Sequence, residues 1–105
     1  MLYLLNSAAL FANGRYCRSG PLDLRAARAL AAGRIASAVG HHATARWLSE
    51  LLERPVPACR RRVDMQPGDR ALVYRLLSRL PEGRVVDLPM LKKQPYQFSL
   101  LVRES

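Results

Sequence analysis

Three groups of residues in this chain have the types and spacing for work on phosphates. The first is Gly40-His41. An imidazole titrates near neutral pH and can hand a proton to a leaving oxygen. A glycine directly before it lets a ligand come close to the backbone. The residues from His41 onward read as a helix, and the N–H groups opening a helix form an anion site. A phosphate held there would stand beside the imidazole and favour its protonated form. His42 points elsewhere on the same helix and reads as exposed. The plain alternative for His41 is a surface or capping histidine.

The second group is Arg79-Leu80-Pro81-Glu82-Gly83, a guanidinium and a carboxylate around a rigid turn. Arg79 could neutralise charge that builds on a phosphate in a transition state. Glu82 could orient that arginine or hold a ribose hydroxyl. The alternative is a solvated ion pair. The third group is Arg60-Arg61-Arg62. On a strand, Arg60 and Arg62 share one face and Arg61 takes the other. Arg75 could join that basic wall from a neighbouring strand. A charged edge strand is the alternative.

Several chemistries lack their motifs. There is no P-loop, GxGxxG, HExxH or GxSxG. No carboxylate cluster suggests a two-metal nuclease. Cys17 and Cys59 form no CxxC, and adjacent His41 and His42 do not have ligand spacing, so neither metal nor cofactor is expected. RNA offers a metal-free route, in which a 2′-hydroxyl attacks its own phosphate. That route needs charge stabilisation and a general acid, which Arg79 and His41 would supply.

The chain has 105 residues, 50% of them hydrophobic, which predicts a single domain over residues 1–105. Lys and Arg number 17 against 8 Asp and Glu, a net charge of +9, and only Lys92 and Lys93 are lysines. Arginine presents a planar fork that suits phosphate oxygens, so an anionic partner is expected. Charge on a solvated face is the alternative. Aromatic residues make up only 7%, without basic interleaving, which argues against single-strand and stable DNA binding. The apolar start, residues 1–12, falls short of the roughly 18 residues a membrane span requires, and it lacks a basic leader region. The expectation is a cytoplasmic protein with no membrane partner.

The elements that must position these groups follow from pattern. Residues 2–6 read as a buried strand. Asn13-Gly14 and Ser19-Gly20-Pro21 read as turns. Asp23 caps a helix over residues 24–32, with Gly33 as its stop. Residues 37–41 read as small and flexible. Ala45, Leu48 and Leu52 recur at helical spacing from about His41 to Pro55. Residues 60–65 and 70–76 flank Gln66-Pro67-Gly68-Asp69 and read as a hairpin, although the second segment also fits a helix. Pro81-Glu82-Gly83 reads as a turn and Val85-Val86 as a short strand. Residues 87–93 suit one or two helical turns, and residues 96–102 a final strand. The fold class is α/β (α+β), a small mixed sheet with helices packed on it.

Three segments in this order resemble one family: Tyr3-Leu4-Leu5-Asn6-Ser7-Ala8, Ser37-Ala38-Val39-Gly40-His41-His42-Ala43-Thr44, and Arg79-Leu80-Pro81-Glu82-Gly83. They are similar to the viral anti-CRISPR ring nucleases and their cellular relatives, the ring nuclease 2 family. The resemblance implies a homodimer that binds cyclic tetra-adenylate, the second messenger of type III CRISPR defence. It implies metal-free cleavage to linear di-adenylate ending in a 2′,3′-cyclic phosphate, which silences the ancillary effectors. The family's catalytic histidine falls on His41, as general acid, and its active-site pair on Arg79 and Glu82. Asn6 falls on a ligand-lining position, followed by Ser7, Ala8 and Ala9. Gly40, Thr44, Arg62 and Arg75 complete the expected ligand surface. Ala8-Ala9 stands where the resemblance would place a further serine, so a contact there comes from backbone. A two-fold dimer would offer the same site twice to a symmetric ring. The competing readings are a non-enzymatic binder of nucleic acid or cyclic nucleotide, and a protein-interaction module.

Overall fold

The apolar run at the start of the chain is a strand, β1 (Leu2–Leu5), paired in parallel on both sides. The computed structural model describes residues 2–6, 14–78 and 87–105. The remaining elements are β2 (Tyr16–Leu22), α1 (Leu24–Ala31), β3 (Ile35–Ser37), α2 (His42–Leu52), β4 (Arg70–Leu76), α3 (Leu88–Lys92) and β5 (Tyr96–Arg103). The described strands form one sheet in the order β2-β5-β4-β1-β3. β1 runs parallel to β3 and β4, while β5 runs antiparallel to β4 and β2.

Local chemistry explains the helices. Asp23 caps α1 by accepting from the Ala26 N–H at 2.7 Å. Asp87 caps α3 by accepting from the Met90 N–H at 2.9 Å. α2 buries Ala45, Leu48, Leu51 and Leu52 along one stripe and ends at Glu53, which takes the left-handed conformation at φ 54° just before Pro55.

Each face of the sheet has its own apolar cluster. Leu2, Leu4, Leu72, Tyr74 and Phe98 pack under Ala27, Ala31, Ala45 and Leu48 of α1 and α2. On the other face Leu5, Ala71, Val73 and Leu101 meet Val63 and Met65. Among the described residues the cover on that second face comes from the segment between α2 and β4, a strap over residues 55–66 without helix or strand: its Val63 and Met65 pack here, while its Val56 joins the first cluster.

Three expectations change. Residues 60–65 are not a hairpin strand, because β1 and β5 already occupy both edges of β4. The turn survives: the Gln66 N–H donates to Asp69 at 2.8 Å and the Asp69 N–H to the Gln66 carbonyl at 2.9 Å. Residues 70–76 keep the strand that the hairpin reading gave them, and the helical alternative falls away. Ser19-Gly20-Pro21 lies within β2, where the register shifts between Ser19 and Leu22. Its residues 17–21 are all exposed, so no apolar alternation marked the strand. Residues 35–37 form β3, which exists through its pairing with β1 and is too short to show a pattern. Val85-Val86 and the Pro81-Glu82-Gly83 turn lie outside the described residues, as does Asn13.

Candidate functional site

Because β1, β3 and β4 are parallel, their carboxyl ends gather on one edge of the sheet. Asn6 follows β1, residues 38–41 follow β3, and Leu77-Ser78 follow β4. The chain passes from β1 to β3 on one side, then crosses to β4 on the other. Ligands of open α/β sheets bind at such carboxyl-end switch points.

His41 stands on that edge as the N-cap of α2, with extended backbone angles of φ −109° and ψ 128°. Its carbonyl accepts the first helical bond, from the Ala45 N–H at 2.9 Å. Its side chain makes no capping bond, so the imidazole is not spent on closing the helix. His41 and His42 are both exposed, and Gly40 is half-buried. Thr44 lies in the first turn with its side chain buried, so it offers the edge its backbone more readily than its hydroxyl.

The strap brings a cation to this turn. A Cβ on Gly40 would lie 3.5 Å from the Arg60 Nε and 3.6 Å from its Cβ and Cγ. The Arg60 side chain therefore runs along Gly40, one residue before His41. One backbone bond and one side-chain bond hold the segments together. The Cys59 N–H donates to the Val39 carbonyl at 2.8 Å, and the Ser37 hydroxyl donates to the Pro57 carbonyl at 2.7 Å. Arg60 is exposed and has no carboxylate partner among the described residues.

The three consecutive arginines do not form one wall. Arg61 lies over the Tyr3 ring, 5.7 Å from its centroid, which pins the strap to β1. Arg62 is exposed and pairs with Asp64 at 3.5 Å. Arg75 is exposed and shares the strap-covered face with Ala71 and Val73, opposite Gln97 of β5. Asn6 is half-buried at the end of β1. Ser7, Ala8, Ala9, Arg79 and Glu82 lie outside the described residues; in sequence they follow directly on Asn6 and Ser78.

Sequence reasoning singled out His41 and Gly40 but did not tell which arginine would reach them. Arg60 is 20 residues away in the chain, and only the path of the strap brings it back. The available signal was a glycine before a histidine, which marks a close approach but not its occupant. A separate cavity of about 420 Å³, lined by Leu2, Leu30, Gly33, Arg34 and Arg70, lies at the amino ends of the same strands. Its lining holds no group that exchanges protons near neutral pH.

Among the described residues, no group of three or more His, Cys, Asp or Glu side chains could hold a metal ion. No described helix is long and apolar enough to cross a membrane.

A family model described as STIV B116-like matches residues 2–98. The chain is 37% identical over 90 residues to uncharacterized protein 26 of Sulfolobus islandicus filamentous virus (isolate Iceland/Hveragerdi), covering 82% of this chain and 76% of that protein. It is 34% identical over 71 residues to uncharacterized protein YddF of Bacillus subtilis (strain 168), covering 68% of this chain and 66% of that protein. The solved structure of B116 of Sulfolobus turreted icosahedral virus superposes with a TM-score of 0.72, at 22% identity, over 97% of this chain and 98% of that one. At that identity the likeness shows a shared fold.

Proposed function

The chain belongs to the STIV B116-like family, and on that premise we propose that it is a metal-independent ring nuclease acting on cyclic tetra-adenylate. One observation carries the reading: an imidazole free of capping duty opens α2, with the Arg60 side chain, which has no carboxylate partner among the described residues, laid along the preceding glycine. The resemblance in sequence to the ring nucleases adds Arg79 and Glu82 to the same reaction.

In this reading the phosphodiester sits against Gly40 and the first turn of α2, where backbone N–H groups and the helix dipole favour an anion. The adjacent 2′-hydroxyl attacks phosphorus and loses its proton to water. The bond from phosphorus to the 5′-oxygen breaks, and protonated His41 gives its proton to that oxygen. Arg60 and Arg79 face the charge that builds on the non-bridging oxygens. Glu82 orients Arg79 or a ribose hydroxyl. Two such cuts convert the ring into linear di-adenylate ending in a 2′,3′-cyclic phosphate. A homodimer would supply two His41 side chains to opposite phosphates. Removal of this messenger would switch off the effectors of type III CRISPR defence.

The test is incubation of the purified protein with cyclic tetra-adenylate in excess EDTA, with His41→Ala alongside. Linear di-adenylate from wild type alone supports the reading. An intact ring with both proteins overturns it.

The net charge of +9, with Arg60 and Arg75 lacking a carboxylate partner among the described residues, favours one other reading, a binder of nucleic acid or cyclic nucleotide without catalysis. It expects an intact ring together with affinity for long DNA or RNA that falls steeply with salt. The nuclease reading expects no stable DNA complex.

A further inference from the structure

A single buried hydroxyl ties the two halves of the candidate site together. Ser37, the last residue of β3, is 7% exposed. It donates to the Pro57 carbonyl at 2.7 Å, and its oxygen accepts from the Val39 N–H at 3.4 Å. The Val39 carbonyl is held from the strap by the Cys59 N–H at 2.8 Å. Val39 is thus gripped at its nitrogen by Ser37 and at its oxygen by the strap. His41 lies two residues beyond Val39, and Arg60 directly follows Cys59. Consecutive Cα atoms are about 3.8 Å apart, so these ties leave little slack between anchor and functional group.

We propose that Ser37 is a positioning residue, whose hydroxyl locks the strap to the turn after β3 so that Arg60 and His41 meet the same phosphodiester. This deepens the nuclease reading and rests on it. Ser37 does not need to touch the ring; it acts through Val39 and Pro57. A hydroxyl suits this place because it donates and accepts at once. An alanine would leave the Pro57 carbonyl and the Val39 N–H without their side-chain partner. The turn and the strap could then shift against each other, and catalysis is sensitive to displacements of about 1 Å.

The experiment compares wild type, Ser37→Ala, Ser37→Thr and His41→Ala on cyclic tetra-adenylate in excess EDTA. Backbone amide exchange is followed by NMR on the same proteins. Ser37→Ala is expected to lower kcat per folded molecule about tenfold and to change KM less than about threefold. Its Cys59 and Val39 amides should exchange faster than in wild type. Ser37→Thr restores the hydroxyl and should recover both readouts. Unchanged exchange at Cys59 and Val39 in Ser37→Ala overturns the lock. Faster exchange with wild-type kcat overturns the positioning role. A fall in thermal stability alone, with kcat per folded molecule intact, does the same. A wild-type protein that leaves the ring whole removes the nuclease reading and the positioning role of Ser37 with it. The amide exchange then reports separately on whether the lock exists.

Discussion

The Arg60 side chain lies against Gly40, with three of its atoms 3.5 to 3.6 Å from the place a Gly40 Cβ would occupy. Those distances are ordinary van der Waals contact, so Gly40→Ala is expected to fold with a wild-type melting temperature. What the methyl group would fill is the space through which a phosphate reaches the backbone. Ring affinity measured by calorimetry should therefore fall while stability holds. Equal affinity in the two proteins would show that no ligand approaches at Gly40.

Arg60→Ala removes an exposed cation that has no carboxylate partner among the described residues. A hydrogen bond to a charged group contributes about 1.5 to 3 kcal/mol, so affinity for cyclic tetra-adenylate should weaken about tenfold or more. The loss should shrink as salt rises, because screening acts on an exposed pair. Arg62→Ala is the comparison: its guanidinium already faces Asp64 at 3.5 Å, and a smaller loss is expected.

His41→Ala should retain ring binding and lose about 100- to 10,000-fold in cleavage, the usual worth of a general acid. His41 makes no capping bond, so the variant should melt as wild type does. His42→Ala, one position on, is expected to cleave normally.

Tyr74 predicts an alkaline transition. Burial pushes its phenol from 10.0 up to about 12, against the opposing effect of the nearby Trp47 indole. The Tyr74 hydroxyl and the Trp47 N–H are both buried, yet neither reaches hydrogen-bond geometry with a partner among the described residues. The folded state therefore holds the proton more tightly than the unfolded chain. This contribution to stability is complete below pH 10 and is lost as pH rises toward 12. Melting curves in that range should show the fall, and Tyr74→Phe should reduce it. At neutral pH that variant should be as stable as wild type or up to about 1 kcal/mol more so, since it deletes an unpaired buried hydroxyl.

Arg54 holds the end of α1. Its Nη1 donates to the Gly33 carbonyl at 2.6 Å and to the Ala31 carbonyl as well. Arg54→Ala leaves both without that donor and should cost about 1 to 3 kcal/mol in denaturant unfolding. Arg54→Lys should recover part of this, because a single ammonium nitrogen can also serve both carbonyls, though from a shorter side chain.

Much of the architecture was legible where short-range chemistry decides it. The Asp23 cap with its Ala-Leu-Arg run specified α1, and the stripe of Ala45, Leu48 and Leu52 ending at Pro55 specified α2. Gly40-His41 at the mouth of α2 followed from the same reading. β2 and β3 were not legible, since one has no buried face and the other has three residues; each exists because a distant strand offers it hydrogen bonds. The tertiary structure alone decided that residues 60–65 form a strap, because both edges of β4 are filled by strands from opposite ends of the chain. It alone separated the three arginines, sending Arg60 to Gly40, Arg61 to Tyr3 and Arg62 to Asp64. The types of group able to move a proton and hold a phosphate are written in the sequence, since they belong to single side chains. The approach of Arg60 to Gly40 is not, because there the strap lies against the turn after β3, bonded to it from Ser37 to Pro57 and from Cys59 to Val39 across some 20 residues of chain.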